Sequence, residues 1–280
     1  AGGRRLPFAQ LFEPAAGYAE RGHYLAPTVA RGWARGVAAA QQRNAPEYAG
    51  FLPTFAPDGR APHVGERWAS PAHAATLRRI AETGARDFYQ GQTAQAIIGF
   101  ARRTGGLLDE ADLAGHTSAW VDPISVAYRG CRVWEIPPNG QGIAALIALG
   151  MLDGLELARH PRDSAAAYHL QIEAMKLAFA DAYRYVADPE HAAVPTAGLL
   201  DPSYLAARRA LIGAYARTHE PGEPPRGGTV YLCAADAHGM MVSMIQSNFH
   251  GFGSGVVVPG TGVALQNRGY GFTLDAGHPN

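Results

Sequence analysis

Gly228-Thr229-Val230-Tyr231-Leu232-Cys233-Ala234-Ala235-Asp236 and, just beyond it, Met240-Met241-Val242-Ser243-Met244-Ile245-Gln246-Ser247-Asn248 decide how this sequence is read. The two β-rich runs flank Ala237-His238-Gly239, so together they predict a hairpin. Thr229 heads the first run, straight after the loop Glu220-Pro221-Gly222-Glu223-Pro224-Pro225-Arg226-Gly227-Gly228. Inside a chain, threonine is a poor nucleophile and an ordinary strand former. Backbone cleavage just before it frees an α-amine that can act as its own base. A hairpin turning at 237–239 carries Ser247 to the Thr229 end, where a hydroxyl can tune the threonine oxygen. These residues alone leave both readings of Thr229 open.

Composition narrows the classes. The 280 residues suffice for one large domain or two small ones. With 24 basic and 24 acidic side chains the chain has no electrostatic footprint for nucleic acid or an anionic membrane. No apolar run approaches the roughly 18 residues that span a bilayer. Cys131 and Cys233 sit in apolar strand-like segments and are expected to be buried free thiols.

Helical patterning covers residues 7–50, interrupted at Gly22 and Pro27, and a proline-rich surface loop is expected over 51–70. A second helical stretch runs from Pro71 to Thr104 and stops at Gly105-Gly106. Val121–Tyr128 and Cys131–Ile136 predict a hairpin around Arg129-Gly130, and Ile143–Gly154 a helix. The most regular helix is expected over Asp163–Val186, with Tyr168, Ile172, Met175, Phe179 and Tyr183 as its core stripe. Glu173, Lys176, Asp181 and Arg184 fall largely on its other side. A further helix is expected over 202–217, and short strands at Val256–Val258 and Val263–Leu265. Helices first and sheet last within one core indicate a layered α/β (α+β) domain.

Other chemistry finds little support. His169 and Glu173 lie four apart on a helix, but with no HExxH and no cysteine cluster an ordinary polar contact is expected, and no metal. Gly251-Phe252-Gly253-Ser254-Gly255 fits neither phosphate-binding fingerprint, and Ser254 lies in no nucleophile elbow. Those glycines are expected to let the backbone approach a neighbouring segment or a ligand.

Four further stretches carry a resemblance. Leu6-Pro7-Phe8-Ala9-Gln10-Leu11-Phe12-Glu13-Pro14-Ala15 is similar to a W-x-x-L-x-x-P-A segment, and Gly84-Ala85-Arg86-Asp87-Phe88-Tyr89-Gln90-Gly91 to G-x-x-x-F-Y-x-G. Gly105-Gly106-Leu107-Leu108-Asp109-Glu110-Ala111-Asp112-Leu113 is similar to G-G-x-L-T-x-x-D-L. Ile172-Glu173-Ala174-Met175-Lys176-Leu177-Ala178-Phe179-Ala180-Asp181 is similar to A-E-A-M-K-x-A-Y-A-D. In this order, and over nearly the whole chain, they resemble the γ-glutamyltranspeptidases and their acylase relatives among the N-terminal-nucleophile hydrolases.

That resemblance implies an αββα four-layer sandwich and a precursor that cuts itself at the Gly228–Thr229 bond. Residues 1–228 would be the helix-rich C-terminal part of a large subunit, and 229–280 the β-rich N-terminal part of a small one. Thr229 would be nucleophile and base, Ser247 the assisting hydroxyl, and no cofactor is implied. The partners implied are a small-molecule acyl amide and a water or amine acceptor, with neither nucleic acid nor membrane.

The departures from the family pattern bear on the substrate. Thr229-Val230-Tyr231 stands where transpeptidases carry T-T-H or T-[ST]-H. Phe249, one residue after Asn248, occupies the position of a polar residue that contacts the donor's α-amino group. Gln266-Asn267-Arg268-Gly269-Tyr270-Gly271-Phe272 replaces N-N-x-x-D-D-F, with Gly271 at the acidic position that pairs with a substrate ammonium. An ammonium left unpaired in a pocket is costly, so the acylase-like branch is favoured, acting on glutaryl-type as well as γ-glutamyl amides. Asn248, Phe249, Gln266, Asn267, Arg268, Tyr270 and Gly271 are the substrate-binding candidates. Arg268 can pair with a substrate carboxylate or be structural; both readings stand.

The chain opens on Ala1-Gly2-Gly3-Arg4-Arg5 and closes on Asp275-Ala276-Gly277-His278-Pro279-Asn280, so a central fragment, incomplete at both ends, is expected. It lacks the family's carboxylate-binding arginine and Gly-Gly oxyanion hole and is expected to be inactive by itself; one missing oxyanion donor alone costs about 10²–10³ in rate. Compartment stays open between the cytoplasm, which we favour, and the periplasm or secretion. A homologue that never matures and only binds a peptide or small acid is the alternative.

Overall fold

A computed structural model describes residues 6–219, 229–275 and 277–278, with backbone alone at 229–231. In chain order the elements begin with α1 (Glu13–Arg21), β1 (His23–Tyr24), α2 (Pro27–Ala40), α3 (Phe51–Phe55) and β2 (Arg67–Trp68). Then come α4 (Pro71–Glu82), α5 (Arg86–Gln90), α6 (Gln92–Arg103) and α7 (Glu110–Gly115). The hairpin β3 (Ile124–Tyr128) and β4 (Cys131–Glu135) precedes α8 (Gly142–Asp153), α9 (Ala165–Tyr185), α10 (Thr196–Leu199) and α11 (Pro202–Arg209). The last strands are β5 (Thr229–Ala235), β6 (Met241–Ser247), β7 (Val257–Val258) and β8 (Val263–Ala264). Among the described residues the strands form four two-stranded antiparallel ladders, so helix and sheet are mixed, as expected.

Two compact units divide the chain, one of residues 1–118 with 226–268, the other of 119–225 with 269–280. In the first, Trp33 of α2 gathers Phe55, Trp68 and Phe252 with ring centroids 4.9–5.6 Å away, edge to face. The indole N–H groups of Trp33 and Trp68 donate to the carbonyls of Phe55 and Thr54 at 2.8 and 3.1 Å, so neither polar end is wasted. This corrects the expected loop over 51–70. Phe51 and Phe55, one helical turn apart, make α3 a piece of core, with Phe51 fully buried.

The helical stretch from Pro71 also breaks into three. Gly84 and Ala85 both take left-handed backbone (φ 62° and 74°), ending α4, and Gly91 separates α5 from α6. A Cβ on Gly91 would lie 2.6 Å from the Asp87 carboxylate, which accepts the Gln92 N–H at 2.9 Å and the Thr93 hydroxyl. The glycine thus clears space for the acid that caps α6.

In the second unit, Arg129 and Gly130 hold positive φ (49° and 79°), the two-residue turn that matches the twist of β3 and β4. The helix α8 is apolar all round and packs on α9 through Ile143, Ile147 and Met151 against Ala174, Leu177 and Ala178. The expected stripe on α9 holds in part: Met175 and Phe179 pack against this core, but Tyr168 and Ile172 are 49% and 56% exposed, and Glu173 and Asp181, expected on the other side, are 1% and 5% exposed. Alanines let α8 and α9 approach closely, and that contact overrides the bulkier stripe. The expected helix over 202–217 is shorter, ending at Arg209.

Burying the two acids requires partners. Asp181 pairs with Arg208 of α11 at 2.9 Å. Glu173 accepts from Lys176 and the Arg217 N–H, and its other contact is the His219 ring at 2.9 Å. Burial pushes the Glu173 carboxyl up, but the bonds from Lys176, His219 and Arg217 outweigh it and hold the group below the usual carboxylate range. His169, the other member of the spacing noted in the sequence, meets the Gly213 carbonyl through Nε2 at 2.7 Å. Cys131 and Cys233, expected to be buried, are both exposed and unbridged. Each sits on a two-stranded antiparallel hairpin.

Candidate functional site

Strands β5 and β6 pair in the register the sequence predicts: Thr229 opposite Ser247, Val230 opposite Gln246, and so on to Ala235 opposite Met241. The turn is closed by Asp236, whose carboxylate accepts the N–H groups of His238 and Met240 at 2.8 and 3.0 Å, and Gly239 takes φ 81°. Thr229 and Ser247 therefore end the ladder at its open side. Gly228 and the rest of the expected loop 220–228 lie outside the described residues, as does the bond expected to be cut.

Directly after Ser247 the chain turns. The Ser247 Oγ accepts the Phe249 N–H at 2.9 Å, and Phe249 adopts φ 74°, left-handed backbone that a bulky side chain rarely takes. Such a residue costs about 1–3 kcal/mol and persists where its surroundings over-determine it. They do here. Asn267 donates its N–H to the Asn248 carbonyl at 3.1 Å and accepts the His250 N–H on Oδ1 at 3.0 Å. Its Nδ2 meets His250 Nδ1 at 2.9 Å. Since Oδ1 is fixed as acceptor, Nδ2 is the donor, and the neutral His250 ring carries its proton on Nε2.

What brings 248–250 to 266–268 is the glycine-rich loop between them. Phe252 enters the aromatic core, 5.1 Å from Phe51 and 4.9 Å from Phe55. Ser254 donates its N–H and its hydroxyl to the Leu265 carbonyl at 3.0 and 2.9 Å. A Cβ on Gly253 would collide with that carbonyl, and one on Gly255 with the Arg43 guanidinium. The glycines thus allow close approach of neighbouring chain, as their spacing led us to expect. The ladder of buried β7 with half-buried β8 completes the return.

Arg268 lies over the Phe249 ring, its Cζ 5.6 Å from the centroid, and Phe249 and His250 rings are 4.3 Å apart. Gln266 Oε1 accepts the Arg268 N–H. Tyr270 and Gly271 continue the 3-10 turn Arg268–Gly271 and group with the second unit; a Cβ added at Gly271 meets no atom of the described residues within 4 Å. Of the candidates, then, Ser247, Asn248, Phe249, Gln266, Asn267 and Arg268 gather beside the Thr229 end of the ladder. Sequence reasoning missed His250; its only signal was a polar ring next to Phe249. Among the described residues no three His, Cys, Asp or Glu side chains group as a metal site, and no helix is long and apolar enough to cross a membrane.

Comparison with known proteins identifies the family. Residues 3–280 match the family model for gamma-glutamyltranspeptidase. The Bacillus subtilis (strain 168) glutathione hydrolase-like YwrD proenzyme is 35% identical over 99% of this chain and 51% of its own length. An oxamate amidohydrolase proenzyme of Klebsiella pneumoniae is 36% identical over 99% of this chain and 51% of its own. The crystal structure of cephalosporin acylase from Bacillus halodurans superposes with a TM-score of 0.90 at 49% identity, covering 98% of this chain and 50% of that one. This chain spans about half the length of the relatives it matches. The α+β class expected for an N-terminal-nucleophile hydrolase holds. With its family model matched from end to end and half of its residues shared with a solved acylase of the same fold, this chain belongs to the gamma-glutamyltranspeptidase family.

Proposed function

We propose that the protein is a self-processing amide hydrolase or acyltransferase in which Thr229 is the nucleophile. Cleavage of the Gly228–Thr229 bond would divide the precursor into a large-subunit part ending at 228 and a small-subunit part starting at 229. The freed α-amine takes the Thr229 hydroxyl proton, the oxygen attacks the amide carbonyl carbon, and the C–N bond breaks as the amine leaves protonated. Water, or an acceptor amine, then attacks the ester and returns the proton. Ser247 assists, since its position opposite Thr229 is the observation that carries this reading.

The donor is an acyl amide of glutaryl type, with γ-glutamyl amides the poorer class. Phe249 supplies an apolar wall, and Arg268, over that ring, supplies the positive charge for a terminal carboxylate. Proenzyme names among the relatives support the processing step. Mass spectrometry of the full-length protein tests it: a small subunit beginning at Thr229 is expected, and Thr229→Ala should leave one uncut chain. A wild-type protein that persists uncut would overturn the reading and favour a binding module. Faster cleavage of a γ-glutamyl anilide than of a glutaryl anilide would overturn the choice of donor.

A further inference from the structure

We infer that Asn267 is a positioning residue that sets acyl-group selectivity through Phe249, an inference that rests on the acyl-donor reading above. The peptide groups on either side of Phe249 are the ones whose orientation defines its φ and ψ. Asn267 binds both: its N–H takes the Asn248 carbonyl at 3.1 Å, and its Oδ1 takes the His250 N–H at 3.0 Å. One residue therefore holds both ends of a left-handed phenylalanine (φ 74°). The carboxamide's remaining atom, Nδ2, is committed to His250 Nδ1 at 2.9 Å, so the same contact selects the Nε2–H tautomer of the ring beside Phe249.

The consequence for selectivity is geometric. Arg268, next in sequence to Asn267, lies 5.6 Å over the Phe249 ring, so the clamp fixes the ring and the charge above it together. Removing the carboxamide frees the His250 side of the clamp while the Asn267 N–H still holds the Asn248 carbonyl, and the peptide after Phe249 can then turn and swing the ring away from Arg268. A donor whose acyl chain ends in a carboxylate loses its ordered partner, whereas an uncharged chain of equal length loses only apolar contact. Asn267 in this role does not touch substrate.

The test uses the mature full-length protein. The selectivity of wild type for glutaryl over valeryl anilide, as a ratio of kcat/KM, is expected to fall about tenfold in Asn267→Ala, through KM of the glutaryl donor, with Thr229 still N-terminal by mass spectrometry. Phe249→Gly should lower the ratio too, and the double variant should be no worse than Phe249→Gly, because glycine needs no clamp to adopt left-handed backbone. Nitrogen NMR of histidine-labelled protein should show His250 as the Nε2–H tautomer in wild type and as a mixture in Asn267→Ala. Equal losses for both donors, or additive losses in the double variant, would overturn the inference. So would an unchanged tautomer. A wild type that cleaves neither donor would overturn the acyl-donor reading and with it the selectivity role, while the tautomer result decides the clamp itself.

Discussion

Thr229 and Ser247 are the terminal cross-strand pair of the β5–β6 ladder. Directly opposed residues have Cβ atoms about 4.5–5.5 Å apart, within reach of a hydrogen bond between two hydroxyl side chains. The Ser247 end runs into the tight turn at Phe249, and Ser247 Oγ is already an acceptor for the Phe249 N–H at 2.9 Å. A hydroxyl can accept on its oxygen and donate its proton at the same time. Ser247 is thus suited to donate toward an oxygen on the neighbouring strand while keeping the turn in place.

Replacing Ser247 by alanine should then slow amide hydrolysis about three- to tenfold, the worth of one hydrogen bond of about 0.5–1.5 kcal/mol. Ser247→Thr keeps the oxygen and should retain most of the rate. Single-turnover kinetics on processed protein separate this from slower maturation. An alanine variant as fast as wild type would remove Ser247 from the mechanism.

Gly271 offers a gain-of-function test. Among the described residues an added Cβ there meets no atom within 4 Å, so Gly271→Asp should fold normally. If this position reads the donor's ammonium, the carboxylate should raise kcat/KM for a γ-glutamyl anilide by about tenfold, roughly 1.4 kcal/mol, and lower it for a glutaryl anilide by repulsion. Parallel changes for both donors would place the acyl chain elsewhere.

Much of this arrangement was legible because it depends on local rules. Hairpins announce themselves by β-rich runs around Gly, which gave β3–β4, β5–β6 and the Thr229–Ser247 register directly. What was not legible depends on contacts distant in sequence. Phe51 and Phe55 look like loop residues until Trp33 and Phe252 arrive. The buried face of α9 is set by the fit of alanines to α8, which no periodicity count on α9 alone contains. At the site, the sequence offers Asn267 only as a substrate-binding candidate; its three bonds to 248–250 depend on the return of the chain through β7 and β8.

Glu173 should make stability fall on the acid side. Its carboxyl is held below the usual range in the fold, so it contributes stability that is full above the unfolded value of about 4.3. That contribution is lost as pH falls through the lower, folded value. Melting temperature should therefore drop from about pH 5 downward, and less steeply in Glu173→Gln, which cannot titrate. Identical acid limbs in the two proteins would show that Glu173 is not the group responsible.

The glycine loop permits a matched comparison. Gly251 and Gly253 both have positive φ (29° and 68°), so alanine strains the backbone at either position, by about 1–2 kcal/mol. Only at Gly253 does the new methyl also meet chain, running into the Leu265 carbonyl and lying 3.1 Å from the Gln266 Cα. Gly253→Ala should consequently cost about 1–3 kcal/mol more than Gly251→Ala in urea unfolding, the range for overpacking. Because the displaced segment carries Gln266 and Asn267, it should also weaken the discrimination between glutaryl and valeryl donors, which Gly251→Ala should leave alone. Equal costs at the two positions would mean that the close approach at Gly253 is relieved by a small shift of the loop, and that Asn267 does not depend on it for its place.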